Sequence, residues 1–298
     1  MQLTPELWRR AVILYREFER RGEKLSRKKL AEALHITEAL ARGVIFALEN
    51  QSIIKFEPRR FEIARRELIL ADLHIPYHDP LAVEAALSYG DKFHPDLIVI
   101  LGDLIDMYDI SPFIRKPRGF NLRGELKQTR QFLEDLRARF PTAKIVYLEG
   151  NHSLRLERYI LKNAEKLYDL LDGFLPQLLH LDSLNIEYMS GPIRIGALWH
   201  LHGHEKMRGG NPEYITNVIW KNIHDHFIVG HWHREQQKIF KRIDGTTFWG
   251  GAVGHLSDPA KAEYAKVNNW TQGFATVEFD DSGHFRARLH RIENGEIY

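Results

Sequence analysis

Phe227-Ile228-Val229-Gly230-His231-Trp232-His233 reads as a short apolar strand that delivers two histidines, one residue apart, into a loop. Gly-His-x-His alone is a weak signal, because most loop histidines are simply solvated. Four other stretches have the same build. Ile69-Leu70-Ala71 runs into Asp72-Leu73-His74, and Leu97-Ile98-Val99-Ile100-Leu101 runs into Gly102-Asp103-Leu104-Ile105-Asp106. Ile145-Val146-Tyr147-Leu148 runs into Glu149-Gly150-Asn151-His152, and Ala197-Leu198-Trp199 runs into His200-Leu201-His202-Gly203-His204. Five strands that each end in a residue able to bind a metal form a constellation that chance explains poorly.

Asp and neutral His at strand ends suit a borderline divalent ion such as Mn²⁺, Fe²⁺ or Zn²⁺. Seven candidate ligands (Asp72, His74, Asp103, Asn151, His202, His231 and His233) are too many for one ion and fit two. A carboxylate shared between two ions is the arrangement of two-metal phosphoesterases, in which the pair acidifies a water and clamps phosphoryl oxygens. Strand carboxyl ends are also where α/β folds place their sites.

Outside these motifs the chain is ordinary. Its 298 residues allow one large domain plus a small one. An apolar fraction of 44% with 28% charged residues fits a globular protein, and the net charge of +2 names no partner. Cysteine is absent, which excludes disulfides and thiolate ligands and fits a reducing cytoplasm. The N-terminus lacks a signal-peptide pattern and no apolar run is long enough to span a membrane, so a cytoplasmic location without membrane contact is expected.

Residues 1–66 differ in charge from the rest. They hold fifteen Lys/Arg against nine Asp/Glu, which leaves the remainder net acidic by four. Thr4-Pro5 opens a helix with Leu7, Ala11, Leu14, Tyr15 and Phe18 on one face. A second helix spans Arg27 to Leu34, and Thr37 caps a third with Leu40, Ala41, Val44, Ile45 and Leu48. Ile53–Phe56 and Phe61–Ile63 read as short strands around a basic turn that includes Arg59-Arg60. The pattern resembles a winged helix-turn-helix domain over residues 1–66, which implies nucleic-acid contact through the third helix and the wing. That helix carries Glu38 and Glu49 and, of basic residues, only Arg42, so a docking module is the competing reading.

From Leu68 strands and helices alternate, which predicts an α/β layered fold. Helices are expected over Pro80–Gly90, Thr129–Phe140, Arg155–Leu171 and Asn211–Asn222. β-structure is expected from Lys238 onward, ending in a hairpin around Asp280-Asp281-Ser282-Gly283.

The ordered series Asp72-x-His74, Gly102-Asp103-x-x-Asp106, Gly150-Asn151-His152, His202-Gly203-His204 and Gly230-His231-x-His233 resembles the calcineurin-like metallophosphoesterase superfamily. The resemblance spans about residues 68–235 and assigns residues 67–298 to that domain. It implies a two-sheet α/β/β/α sandwich with a dinuclear site. Asp72, His74 and His233 would bind one ion, Asn151, His202 and His231 the other, with Asp103 bridging. His152 would be the unligated histidine acting on the transition state or the leaving oxygen, and Asp106 would hold it in the required tautomer. The implied cofactors are two divalent ions, Mn²⁺ first, with Fe²⁺, Zn²⁺, Ni²⁺ or Co²⁺ as alternatives.

The family covers many esters, so the fold does not choose the substrate. Asp106 is followed by Met107-Tyr108 and His152 by Ser153, unlike the protein serine/threonine phosphatases, and the break-repair nucleases carry His at the position of Asp106. The style of the Gly150–Tyr159 stretch looks like phage and bacterial phosphoesterases. Arg115, Lys116, Arg118, Arg123, Arg155, Arg158, Lys206 and Arg208 would hold a polyanion, and Tyr108, Phe113, Phe120 and Trp232 could stack on bases; the competing reading is a solvated rim. The expected function is therefore a metal-dependent phosphodiesterase or nuclease acting on DNA or RNA. The alternatives are a phosphomonoesterase with a docking module, and a DNA-binding regulator with a silent esterase domain.

Overall fold

The computed structural model describes residues 25–38, 64–113, 121–170, 174–205, 212–261 and 269–298, strand 59–61, and scattered residues between 7 and 45. The chain divides into two compact units, Met1–Pro58 and Arg59–Tyr298.

In the first unit the described helix is α1, Arg27–Leu34, with the bounds expected from sequence. The Ser26 hydroxyl accepts from Lys29 N at 3.2 Å, and His35 ends the helix in the left-handed region at φ 50°. Thr37 Oγ1 accepts from Leu40 N at 3.3 Å, the expected cap of the next helical segment. Ala11, Leu25, Leu30, Leu34, Ala41 and Val44 share one buried cluster. The expected wing strand Ile53–Phe56 and residues 62–63 lie outside the described residues. Arg59–Phe61 (β1) is described; it is a strand of the second unit, where it pairs in parallel with Ile193–Ile195. Arg59 and Arg60 therefore lie in a strand rather than a turn, because three residues of extended chain complete an open sheet edge.

The second unit continues with β2 (Arg66–Leu70), α2 (Pro80–Phe93), β3 (Leu97–Ile100), α3 (Leu122–Arg139), β4 (Lys144–Leu148), α4 (Arg155–Asn163), α5 (Phe174–Leu178) and β5 (Ile186–Met189). After β6 (Ile193–Ile195) come β7 (Leu198–Leu201), α6 (Ile215–Ile223), β8 (His226–Val229), β9 (Gln236–Lys241), β10 (Thr247–Ala252), β11 (Gln272–Phe279), β12 (Phe285–Glu293) and β13 (Glu296–Ile297). One sheet has the order β13-β12-β11-β2-β3-β4-β5, the other β1-β6-β7-β8-β10-β9. β2 to β5 are parallel neighbours, as are β7 and β8.

Alternation along each strand builds the layers. Leu68, Leu70, Ile98, Ile100, Ile145 and Tyr147 pack against Ala82, Val83, Ala86, Leu133 and Leu136 of the helices. Ile69, Ala71, Val99, Leu101, Val146 and Leu148 face the other way and meet Ile193, Ile195, Leu198 and Ile228 between the sheets. Phe227, Val229 and Leu201 turn outward onto Ile215 and Ile219 of α6. Each central strand is buried on both faces, which is why each reads as a continuous apolar run. The result is the expected two-sheet α/β/β/α sandwich.

Helix bounds depart from expectation where caps override periodicity. α3 starts at Leu122 because Asn121 Oδ1 accepts from Gly124 N at 2.9 Å. The apolar pattern beyond Asn163 continues as a 3-10 turn over Glu165–Leu170, not as α-helix. The Asn211–Asn222 candidate begins as a 3-10 turn at Pro212 and becomes α6 at Ile215.

Candidate metal centre

The ends of β2, β3, β4, β7 and β8 converge at the carboxyl edge of the two sheets. The chain must turn sharply on leaving each strand. Asp72, His74, Asp103, His231 and His233 all hold positive φ, from 43° to 67°. Non-glycine residues in that region cost about 1–3 kcal/mol each and persist where the surroundings over-determine them. Pairing continues past the strands to hold them: His74 N donates to Asp103 O at 2.9 Å, and Ile75 N to Leu104 O at 2.8 Å.

Glycine makes room at two points. A Cβ on Gly150 would lie 2.1 Å from Asp103 Oδ1 and 2.4 Å from its backbone N. A Cβ on Gly102, which sits at φ +95°, would lie 2.1 Å from His202 Nδ1. The glycine before each of these motifs is thus a packing requirement of the site.

All nine residues singled out from sequence come together. Ligand atoms of Asp72, His74 and His233 lie within 4.8 Å of one another, as do those of Asp103, His202 and His231. A third group of His74, Asp103 and His152 joins them, sharing His74 with the first and Asp103 with the second. Asn151 Oδ1 lies 3.1 Å from His202 Nε2. Asp106 Oδ1 lies 3.1 Å from Nδ1 of both His74 and His152. His204 stands beside this set, its ring 5.3 Å from that of His202.

The donor chemistry fits divalent cations. Leu101 O lies 2.8 Å from His202 Nδ1 and can only accept, so Nδ1 carries the proton. Neutral His202 then aims its Nε2 lone pair at Asp103 Oδ2 (3.2 Å) and Asn151 Oδ1 (3.1 Å). Three acceptors facing one point need a cation between them or an extra proton on the ring. Burial works against that proton, but Asp103 and Asp72 outweigh it and push His202 up to about 10. Asp72 Oδ2 accepts from His231 N at 2.8 Å, whereas buried Oδ1 makes no hydrogen bond and faces His233 Nε2 at 3.4 Å. Burial favours the neutral acid at Asp72, yet His233 and His202 hold the carboxyl at about 2. Asp103 is likewise held well below its usual range by His202 and His152 against the effect of burial. Two ionised carboxylates, Asp72 and Asp103, packed in a buried site call for compensating cations.

Several residues extend the site beyond the motifs. Glu125 of α3 is fully buried, and its two oxygens accept from Tyr108 N at 3.2 and 3.3 Å, which fixes the loop after Asp106. Burial, then Asp106, raise its carboxyl to about 7. Tyr147 OH lies 2.8 Å from Ser153 Oγ, under the turn that carries Asn151 and His152. His255 stacks on His233 at 4.9 Å, with Trp270 edge-on to His233 at 4.3 Å. Arg155 Nη1 donates to Asp106 O at 2.7 Å, and its Nη2 lies 2.9 Å from His152 Nε2. No spacing pattern signals Glu125, since its partners are backbone amides. In sequence Arg155 reads only as one of several basic residues.

Of the expected polyanion rim, Arg115, Lys116, Arg118, Phe120, Lys206 and Arg208 lie outside the described residues. Phe113 is 72% exposed. Trp232 is half-buried against the cluster of Leu201, Ile215 and Phe227. His200, adjacent in sequence to the fourth motif, points into the core, where its Nε2 meets Glu67 Oε2 at 3.0 Å.

No family model matches the chain. In sequence it is similar to the Gene 54 proteins of Mycobacterium phage L5 (28% identical over 252 residues) and Mycobacterium phage D29 (26% identical over 252 residues). Each alignment covers 79% of this chain and 96% of the relative. Similar solved structures include zinc-complexed Vps29 from Entamoeba histolytica, at 14% identity and TM-score 0.41 over 78% of this chain and 96% of that one. Another is Yfce, a phosphoesterase from E. coli, at 15% identity and TM-score 0.34 over 75% and 98% of the two chains. A third is the nuclease MPE of Pseudomonas putida, at 18% identity and TM-score 0.32 over 76% and 88%. Among the described residues no helix is long and apolar enough to cross a membrane.

Proposed function

We propose that the chain is a calcineurin-like phosphoesterase that uses two divalent ions, Mn²⁺ foremost, to hydrolyse phosphodiester bonds in nucleic acid. The observation that carries this reading is the pair of ligand groups, Asp72/His74/His233 and Asp103/His202/His231, linked by a third group in which ligand atoms of His74, Asp103 and His152 lie within 4.8 Å of one another. Asp72, His74 and His233 would hold one ion, Asn151, His202 and His231 the other, and Asp103 both. Such ions supply Lewis-acid polarisation of phosphoryl oxygens and an acidified water.

The chain's own residues do the rest. Asp103 Oδ1 accepts from His152 N at 2.8 Å, which ties the histidine to the edge of the metal groups. The Asp106 carbonyl accepts from His152 Nδ1 at 2.8 Å, which leaves Nε2 as the free lone pair of the ring, beside Arg155 Nη2. Asp106 Oδ1 also accepts from His74 Nδ1 at 3.1 Å, which leaves His74 Nε2 as a lone pair for a cation. Arg155, held between Asp106 O and His152 Nε2, supports an anionic substrate.

The test is hydrolysis by Mn²⁺-loaded protein of labelled single- and double-stranded DNA and RNA beside an aryl phosphomonoester. Cleavage of a polynucleotide that stops on chelation supports the proposal. Monoester turnover with every polynucleotide intact would replace it with a phosphatase.

A further inference from the structure

We infer that Arg155 is a catalytic residue that meets the leaving oxygen of the ester, an inference that rests on the phosphoesterase reading above. Arg155 opens α4, three residues beyond His152. Its side chain is only 11% exposed. Nη1 is anchored on Asp106 O at 2.7 Å and stands 3.7 Å from Asp106 Oδ2. Nη2 stands 2.9 Å from His152 Nε2.

Arginine has no acceptor atom, so in that last contact His152 Nε2 must accept. The imidazole proton is then on Nδ1, shared with Asp106 O at 2.8 Å and Asp106 Oδ1 at 3.1 Å. In this tautomer His152 offers a lone pair at Nε2 and has no proton there to give. Any oxygen that reaches Nε2 also reaches Arg155 Nη2, which carries a permanent positive charge and N–H donors.

In hydrolysis the water oxygen forms the new bond to phosphorus. The P–O bond to the leaving group breaks, and its electron pair stays on the leaving oxygen. One water proton remains on the new phosphoryl hydroxyl, and the other reaches the leaving oxygen through solvent. Arg155 keeps its own protons throughout and donates a hydrogen bond to the oxygen as charge builds on it. This matters most for poor leaving groups. The site is therefore suited to unactivated alkyl esters, such as the sugar–phosphate linkage, whose alkoxide needs the most stabilisation.

The test is a series of methyl aryl phosphodiesters whose leaving phenols differ in acidity, hydrolysed by Mn²⁺-loaded wild type, Arg155→Lys and Arg155→Met. With the least acidic phenol, Arg155→Met should lose roughly 10²–10³-fold, the usual cost of removing one donor to a developing oxyanion. With 4-nitrophenol the loss should be far smaller, and Arg155→Lys should fall between the two enzymes. Bound Mn²⁺ should be unchanged. An equal loss for every leaving group would overturn the inference and leave Arg155 a structural support. If Arg155→Met fails to fold, Arg155→Lys decides alone: a steeper dependence on leaving-group acidity than wild type supports the role, and a parallel one overturns it. Wild-type protein inert toward the whole series would remove the phosphodiesterase reading and this inference with it; parallel slopes in active proteins would remove only this inference.

Discussion

Asp106 Oδ1 stands 3.1 Å from His74 Nδ1, and the same oxygen stands 3.1 Å from Nδ1 of His152. One carboxylate oxygen thus orients both His74, a candidate metal ligand, and His152. From sequence Asp106 is expected to serve His152; the bond to His74 adds a second duty. The histidines stack edge-on at 4.5 Å, which is what lets one oxygen reach both.

Asp106→Ala should therefore weaken metal binding as well as turnover. Loss of an outer carboxylate typically lowers metal affinity about 10–100-fold. Mn²⁺ titration of chelator-stripped protein checks this. A variant that binds Mn²⁺ as wild type does while losing turnover would confine Asp106 to His152.

Gly150→Ala should expel the Asp103 carboxylate from its place. The new Cβ would meet Asp103 Oδ1 at 2.1 Å and its backbone N at 2.4 Å, and the backbone cannot rotate away. Overpacking of this kind costs about 1–3 kcal/mol, and here it falls on the shared ligand. Urea unfolding and Mn²⁺ content should both drop. Normal Mn²⁺ content would show that the Gly150 turn does not press on Asp103.

Glu125 gives a pH dependence of stability. Its carboxyl is raised from 4.5 to about 7, first by burial and then by Asp106. A raised folded-state pKa means that the folded protein holds the proton more tightly. The stabilisation is complete below pH 4.5 and is lost as pH rises through about 7. At 1.36 kcal/mol per pKa unit the loss is ~3 kcal/mol at most. In the presence of chelator, Glu125→Gln should gain stability relative to wild type across that window, because a neutral amide can still accept from Tyr108 N. Parallel urea-midpoint profiles against pH would contradict this account.

A chain that starts at Arg59 should fold and keep its activity on a small diester. Cutting at residue 66 instead should destabilise it, because Arg59–Phe61 covers the edge of β6. If the first unit holds nucleic acid, the residue-59 protein should lose activity on polynucleotide while its small-diester rate is unchanged. Equal rates on both substrates, compared with the full chain, would remove nucleic-acid binding from residues 1–58.

The strand ends were legible because the centre of this fold is buried on both faces. A run such as Leu97–Leu101 has no polar residue until the chain leaves the sheet at Gly102-Asp103, so motif and strand end coincide in sequence. The helix in residues 27–34 was legible from Ser26 and the spacing of Leu30, Ala31 and Leu34. Other features depend on contacts that spacing does not encode. Glu125 acts through backbone amides of a loop 17 residues away. β1 finds its partner in β6 across most of the domain. Arg155 looks like any basic residue at a helix start until its guanidinium is placed against His152. His255, outside every motif, packs on His233 only because β10 brings it beside β8.

The most direct measurement is the rate of hydrolysis of a bis(aryl) phosphodiester as Mn²⁺ is added stepwise to chelator-stripped protein, with bound metal counted at each step. Without metal there should be no hydrolysis, the rate should saturate as the second ion binds, and Asp103→Ala should lose both bound ions and rate. Hydrolysis by metal-free protein, or two bound ions in Asp103→Ala, would contradict the two-ion reading.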